Sequence, residues 1–328
     1  MEGTFRDEAD RCVPEESDDA DGAGPFPTDD TASTAPDDTG TPGDEGGGTD
    51  GSESGGTSSG GDDTDEPYDP PTTPSLVGLA DATITIFGGA AGARVGRAGA
   101  GAGDIDGDGR ADIMIGADRS NGVDGVEYGG WVTLHLASSL PATGSVAVES
   151  FDARWIGFSE GELLGHNMSR GGDLDGDGQI DLIVAGYHAP AGGDKRGSVY
   201  GISGTSVVTG THSTADADWT IHGSRNVEGV GHGMSTAGDV DNDGLSDIVL
   251  GGCCGEPPAL GRAWVVTGES LTSGSGVINL STHTPRWEGE QDNDQAGYKT
   301  SPLGDVDGDG LDDVAIGARL QNDGAPSG

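Results

Sequence analysis

The chain has 328 residues, 58 acids against 15 lysines and arginines, a formal net charge of −43 and 64 glycines. A chain this acidic, with no basic stripe, makes no partner for nucleic acid, and no run of 18 or more apolar residues encodes a membrane span. Its three cysteines are too few for a disulfide framework, and Met1–Asp10 lacks the basic and apolar regions of a signal peptide.

Residues 1–75 hold 22 acids, two bases (Arg6 and Arg11) and almost no large apolar residues. Such a segment buries too little apolar surface to offset its ordering entropy, so it is expected to be a disordered acidic linker rich in Gly, Ser, Thr and Pro. Runs such as Gly46 to Gly61 fit a flexible spacer stretched by its own charge. Cys12 falls in this tract, without the apolar approach that a lipidation signal needs.

From residue 76 onwards one pattern recurs four times. It reads Asp104, Asp106, Asp108, Asp112; then Asp173, Asp175, Asp177, Asp181; then Asp239, Asp241, Asp243, Asp247; then Asp305, Asp307, Asp309, Asp313. The first aspartates stand 69, 66 and 66 residues apart. Carboxylates at loop positions 1, 3, 5 and 9, with the main-chain carbonyl of position 7 (Arg110, Gln179, Leu245, Leu311), can converge on one hard cation. Oxygen donors without His or Cys favour Ca²⁺ over Zn²⁺ or Cu²⁺, so about four Ca²⁺ ions are expected. Turns rich in Asp and Gly without metal are the bland alternative. Two carboxylates about 4 Å apart, however, repel by roughly 4 kcal/mol at an effective dielectric near 20. These loops are not EF-hands, because position 12 holds Ile115, Val184, Leu250 and Ile316 where that motif needs Glu.

The flanking elements recur as well. Ahead of each loop comes an aromatic or aliphatic segment ending in Gly: Ile86-Phe-Gly88, Trp155-Ile-Gly157, Trp219 to Gly223, Trp287-Glu-Gly289. Next come Val95-Gly96, Leu164-Gly165, Val230-Gly231 and Ala296-Gly297, and after the loop a short apolar run closed by Gly116, Gly186, Gly251 or Gly317. Three copies then add a β-rich segment, beginning at Gly130, Gly197 and Gly261. Short, β-branched, Gly-bounded runs predict strands, and no window carries a helical apolar period. One small sheet cannot cover both of its apolar faces, so the units are expected to stack face to face as propeller blades.

The order Gly, Gly-Asp-x-Asp-x-Asp-Gly-x-x-Asp, apolar run, Gly-Ala and Gly-x-Val-Tyr resembles the FG-GAP repeat of integrin α-subunit propellers and related bacterial surface proteins. The second copy, Leu164-Gly165 through Gly197-Ser-Val-Tyr200, matches best, and Gly116-Ala117 and Gly317-Ala318 match the Gly-Ala step. The resemblance covers residues of roughly 76–328. It implies an all-β fold, a β-propeller of usually seven blades with Ca²⁺ in loops on one face, and roles in adhesion or ligand binding. The expected blades are 76–138, 139–205, 206–270 and 271–328, the last truncated. The first copy departs from the pattern, carrying Arg97 and a Gly/Ala run at its inner strand. Seven blades at this period need about 460 residues. Four copies, no signal-like start and an ending before the last strand suggest a partial chain. A closed four-bladed ring and an arc completed by self-association through open blade edges are the alternatives.

No nucleophile–base set stands out. His166 and His232 occupy equivalent repeat positions, which favours a structural or central-channel role, and Glu160, Glu162, Glu228, Glu288 and Glu290 read as solvated loop charge. Cys253 and Cys254 are adjacent, which disfavours a bridge between them. The expected function is a calcium-binding module for adhesion or ligand binding, with Ca²⁺ in a structural role, an unknown protein or glycan as ligand, and an extracellular or cell-surface location. A scaffold or accessory domain of a secreted hydrolase or lyase is the alternative.

Overall fold

A computed structural model of the chain describes residues 82–88, 92–190, 195–255 and 259–321. The acidic linker expected at 1–75, with Cys12, lies outside the described residues. Within them the fold is built of short strands, with one five-residue helix, Gly268–Thr272, and a few 3₁₀ turns.

Three four-stranded antiparallel meanders follow one another, all with the same internal order. The first runs Gly99–Gly103, Asp112–Ala117, Trp131–His135 and Ala153–Ile156. The second runs Leu164–Gly172, Asp181–Gly186, Ser198–Ile202 and Trp219–His222. The third runs Val230–Gly238, Asp247–Gly252, Arg262–Val266 and Arg286–Glu288. A fourth sheet pairs Ala296–Gly304 with Asp313–Ala318. These are the blades of a β-propeller-like fold.

The sheets are offset from the sequence repeat by one strand. Trp155 pairs with Val132 and Trp287 with Ala263, so each aromatic segment that opens a repeat closes the sheet of the repeat before it. The sheet boundaries thus fall one strand later than the limits 76–138, 139–205, 206–270 and 271–328. The physical reason is connectivity, because a meander grows by adding the next strand in sequence to its outer edge.

A second crossing over repeat limits seals the outer edges. Gly210–Ser213 leaves the second sheet and pairs in parallel with Ala153–Ile156 of the first. Val277–Asn279, between the last two strands of the third sheet, does the same to Trp219–His222, and Gly144–Ala147 to Ile84–Phe87. An outer strand would otherwise present unpaired main-chain groups, the usual site of unwanted pairing.

Between the sheets the core follows the strand period of two. In Asp181–Gly186, Leu182 and Val184 point to the first sheet, where they meet Met114, Val132, Leu134 and Trp155. Ile183 and Ala185 point the other way, to Val230, Ile248, Leu250 and Trp264 of the third sheet. All six residues of this strand are buried, as a sheet covered on both faces requires.

The repeat glycines set the spacing. A Cβ on Gly116 would strike the main chain of Gly165, and one on Gly251 that of Gly297, so each inner-strand bulge rests directly on the middle of the neighbouring sheet. Gly165 and Gly297 have φ of +87° and +80°, a conformation that side chains disfavour. Gly251 has no such φ, so Gly251→Ala reports the close approach alone. It is expected to cost about 1–3 kcal/mol by overpacking. Gly99→Ala, whose nearest neighbour would be 3.8 Å away, should stay within about 0.5 kcal/mol of the parent, both read by urea unfolding.

Candidate metal centres

Each Asp-rich loop joins the inner strand of a sheet to its second strand, at the same end of every sheet. The four loops share a main-chain scaffold. The position-1 carboxylate accepts from the position-6 glycine amide: Gly109 to Asp104 at 2.8 Å, and Gly178 to Asp173, Gly244 to Asp239 and Gly310 to Asp305 at 3.0 Å each. The position-5 carboxylate accepts from the position-7 amide, at 2.8 Å for Arg110 to Asp108, 2.7 Å for Gln179 to Asp177, 2.8 Å for Leu245 to Asp243 and 2.9 Å for Leu311 to Asp309. Such side-chain-to-backbone bonds are how Asp stabilises a tight turn.

Three loops gather the same carboxylates. Oxygens of Asp173, Asp175 and Asp181 lie within 4.8 Å of one another, as do those of Asp239, Asp241 and Asp247, and those of Asp305, Asp307 and Asp313. Asp177, Asp243 and Asp309 stand outside these clusters; Ser203 Oγ donates to Asp177 at 3.3 Å. The first loop instead gathers Asp104, Asp106 and Asp108. There the Arg110 guanidinium lies 2.8 Å from Asp108, and Ser138 Oγ donates to Asp106 at 2.6 Å. Hard oxygen donors this close, with metal–oxygen distances of about 2.3–2.6 Å in calcium sites, fit a divalent cation of that class.

The position-9 aspartate has a second task. Asp181 is fully buried and accepts from Leu174 N at 2.7 Å and Gly204 N at 2.8 Å. Asp247 accepts from Val240 N at 2.7 Å and Gly268 N at 2.9 Å, and Asp112 from Ile105 N at 2.8 Å and Ala137 N at 2.7 Å. One oxygen holds the loop and the other holds the chain leaving the third strand. Burial pushes Asp181 and Asp247 up to about 6 and raises Asp112, partly offset by these amides and reinforced by neighbouring loop carboxylates.

The loops of neighbouring sheets also touch. Ser246 N donates to the Asp173 carbonyl at 2.8 Å and Asp312 N to the Asp239 carbonyl at 3.2 Å. Asp312 also accepts from Asp239 N at 2.9 Å, against Gly238, where a Cβ would collide with that carboxylate.

One sequence expectation fails at two of its five residues. Glu162 and Glu228, read as solvated loop charge, are 0% and 1% exposed, whereas Glu160, Glu288 and Glu290 are exposed. Glu162 accepts from the Phe158 and Ser159 amides at 2.9 Å, and Glu228 from Ser224 N at 2.6 Å and Arg225 N at 3.0 Å. Asp294 repeats the arrangement with Glu290 N at 2.8 Å and Gln291 N at 2.7 Å. These acids tie down the turn that enters each inner strand, which is why burial is tolerated. The signal was in the sequence: all three precede the repeat glycines 165, 231 and 297 by three residues. His166 and His232 are buried in a row with Tyr187 and Tyr298. His166 stacks on Tyr187 at 4.3 Å, and His232 lies 4.3 Å from Tyr298. Asp118, also buried, faces His166 Nδ1 at 3.4 Å, with Arg94 and Arg97 at 3.7 and 3.6 Å.

Holding the Val240 and Gly268 amides is peculiar to the position-9 aspartate. With chelator present, Asp247→Ala should cost about 2–4 kcal/mol, because two amides, one buried and one half-buried, lose their acceptor. Asp241→Ala, exposed and away from those amides, should stay within about 0.5 kcal/mol under the same conditions in urea unfolding.

No family model matches the chain. It is 26% identical over 228 residues to integrin alpha pat-2 of Caenorhabditis elegans, covering 66% of this chain and 17% of that protein. It is 33% identical over 156 residues to integrin alpha-V of Gallus gallus, covering 45% of this chain and 14% of that one. A third likeness, 30% over 152 residues, is to phosphatidylinositol-glycan-specific phospholipase D of Dictyostelium discoideum, covering 43% of this chain and 15% of the relative. The chain thus spans less than a fifth of the length of these relatives. Taken with the four loops and the stacked meanders, these likenesses show that the chain is related to the integrin α chains through FG-GAP-type repeats.

Proposed function

We propose that this region is a calcium-stabilised extracellular propeller module that binds a protein or glycan ligand, with Ca²⁺ in a structural role. The observation that carries the reading is the set of four carboxylate clusters, one per repeat, each built on a loop already pinned by its own amides. The loops need a cation to relieve repulsion among their carboxylates, and they are tied to sheet ends rather than to a cleft. Asp173, Asp175 and Asp181, with their counterparts, would hold the ion; the ion supplies positive charge and cross-links the loop. Asp177, Asp243 and Asp309 would add to the oxygen set.

The likeness to integrin alpha chains supports an adhesion-type role and, with it, a location outside the cell. Among the described residues no helix is long and apolar enough to cross a membrane. The likeness to a phospholipase D favours one second reading, an accessory propeller in a secreted hydrolase.

At millimolar calcium and a Kd near 10⁻⁴ M, each site adds about 1.4 kcal/mol through mass action, and four about 5–6 kcal/mol. A melt of the full chain in 2 mM CaCl₂ and in EDTA should show a rise of many degrees with calcium. A cooperative melt unchanged by calcium would refute the structural role. The pH dependence has a defined sign. Without cation, Asp181 and Asp247 have folded pKa values of about 6, above the ordinary 3.8, so the native state takes up protons and gains stability as pH falls through that window. Calcium needs the same carboxylates ionised. Its stabilising increment should therefore shrink as pH drops from about 7 to 5, measured as the difference between melts with and without the ion.

A further inference from the structure

Cys253 and Cys254 follow the second strand of the third sheet, at the position occupied by Asp118 in the first sheet and Tyr187 in the second. Their sulfurs lie 3.0 Å apart, closer than two sulfurs rest without a bond or an S–H between them. Both are buried, at 0% and 5% exposure, and pack with Ala259 against Tyr298 of the fourth sheet. The Tyr187 hydroxyl of the second sheet stands 3.7 Å from Cys254 Sγ, and the Cys254 amide donates to the Glu228 carbonyl at 3.4 Å. Three sheets thus converge on two touching thiols.

From this juxtaposition we propose that Cys253 and Cys254 form a reversible disulfide with each other by exchange with a small disulfide oxidant such as oxidised glutathione. Cys254, the more exposed, attacks as thiolate one sulfur of the oxidant and expels one glutathione thiolate. Cys253, as thiolate, then attacks the mixed disulfide at Cys254 and expels the second. One sulfur–sulfur bond forms in the protein and one breaks in the oxidant, and the two cysteine protons end on two glutathione thiols.

The bond is a switch rather than a staple on geometric grounds. Neighbouring Cα atoms are about 3.8 Å apart across a trans peptide, short of the usual 4.4–6.8 Å for disulfides. Strain of this kind makes a disulfide easier to reduce, the mark of a labile bond. Sequence adjacency therefore weakens the bridge without forbidding it. The closed ring would also take both S–H groups away from the Tyr187 hydroxyl, at the meeting point of three sheets.

The test uses the full chain carrying Cys12→Ser, so that only this pair can react. The protein is incubated with oxidised glutathione, denatured, alkylated and weighed intact. The expected result is a monomer with no alkyl groups, lighter by two hydrogens than the reduced chain, and two alkyl groups after reduction. Two alkyl groups without reduction would overturn the proposal, as would a persistent glutathione adduct or a covalent dimer. Adding Cys254→Ser should abolish the two-hydrogen loss while the calcium-free melt still shows a folded chain. A two-hydrogen loss surviving that substitution would assign the chemistry elsewhere and overturn the proposal.

Discussion

A carboxylate buried where a loop and a strand end meet governs this fold. Asp112, Asp181 and Asp247 each accept two amides from segments that are distant in sequence, on the order of seven residues to one side and 21 to 25 to the other. Removing such an acceptor leaves two shielded donors unpaired, so the position disfavours an apolar replacement. The rest of the loop is arranged around this fixed point. Because the same carboxylate also belongs to the cation cluster in the second and third loops, the proposed metal and the sheet geometry share one group.

The last three loops also form a connected row. The third and fourth loops each present an amide to a main-chain carbonyl at the start of the one before, through Ser246 and Asp173 and through Asp312 and Asp239. The glycine ahead of the first aspartate is the seat for this contact, as the clash a Cβ on Gly238 would make with Asp312 shows. The loop aspartates make up 16 of the 36 acids of the propeller region.

Much of this was legible in the residues. Repeats of near-constant length, each with a Gly-bounded apolar run, led to stacked small sheets, and the strand run Leu182 to Ala185 faces both ways as an uninterrupted apolar run implies. The spacing of the aspartates pointed to clusters, yet it could not say which three would meet. In two loops the odd carboxylate has a partner that spacing does not reveal: Ser203 beside Asp177, placed by the tertiary fold, and Arg110 beside Asp108, a single local side chain. Glu162 and Glu228 were misread because charge was weighed without the amides that would receive it. The offset between repeat and sheet was hidden for a simpler reason: periodicity fixes a period but not where a unit begins.

The parallel strands that cross from one repeat to the edge of the previous sheet bear on how the chain is made. Ala153–Ile156 is not covered until Gly210–Ser213 exists, 57 residues later. At a synthesis rate of roughly 5–20 residues per second, that outer edge waits several seconds on the ribosome as an open template. The first and second sheets are thus each finished by a strand of the successor, and the nascent chain carries one unsealed edge forward as they form. Vectorial translation orders the closure, whereas refolding from denaturant releases every edge at once and puts them in competition for partners.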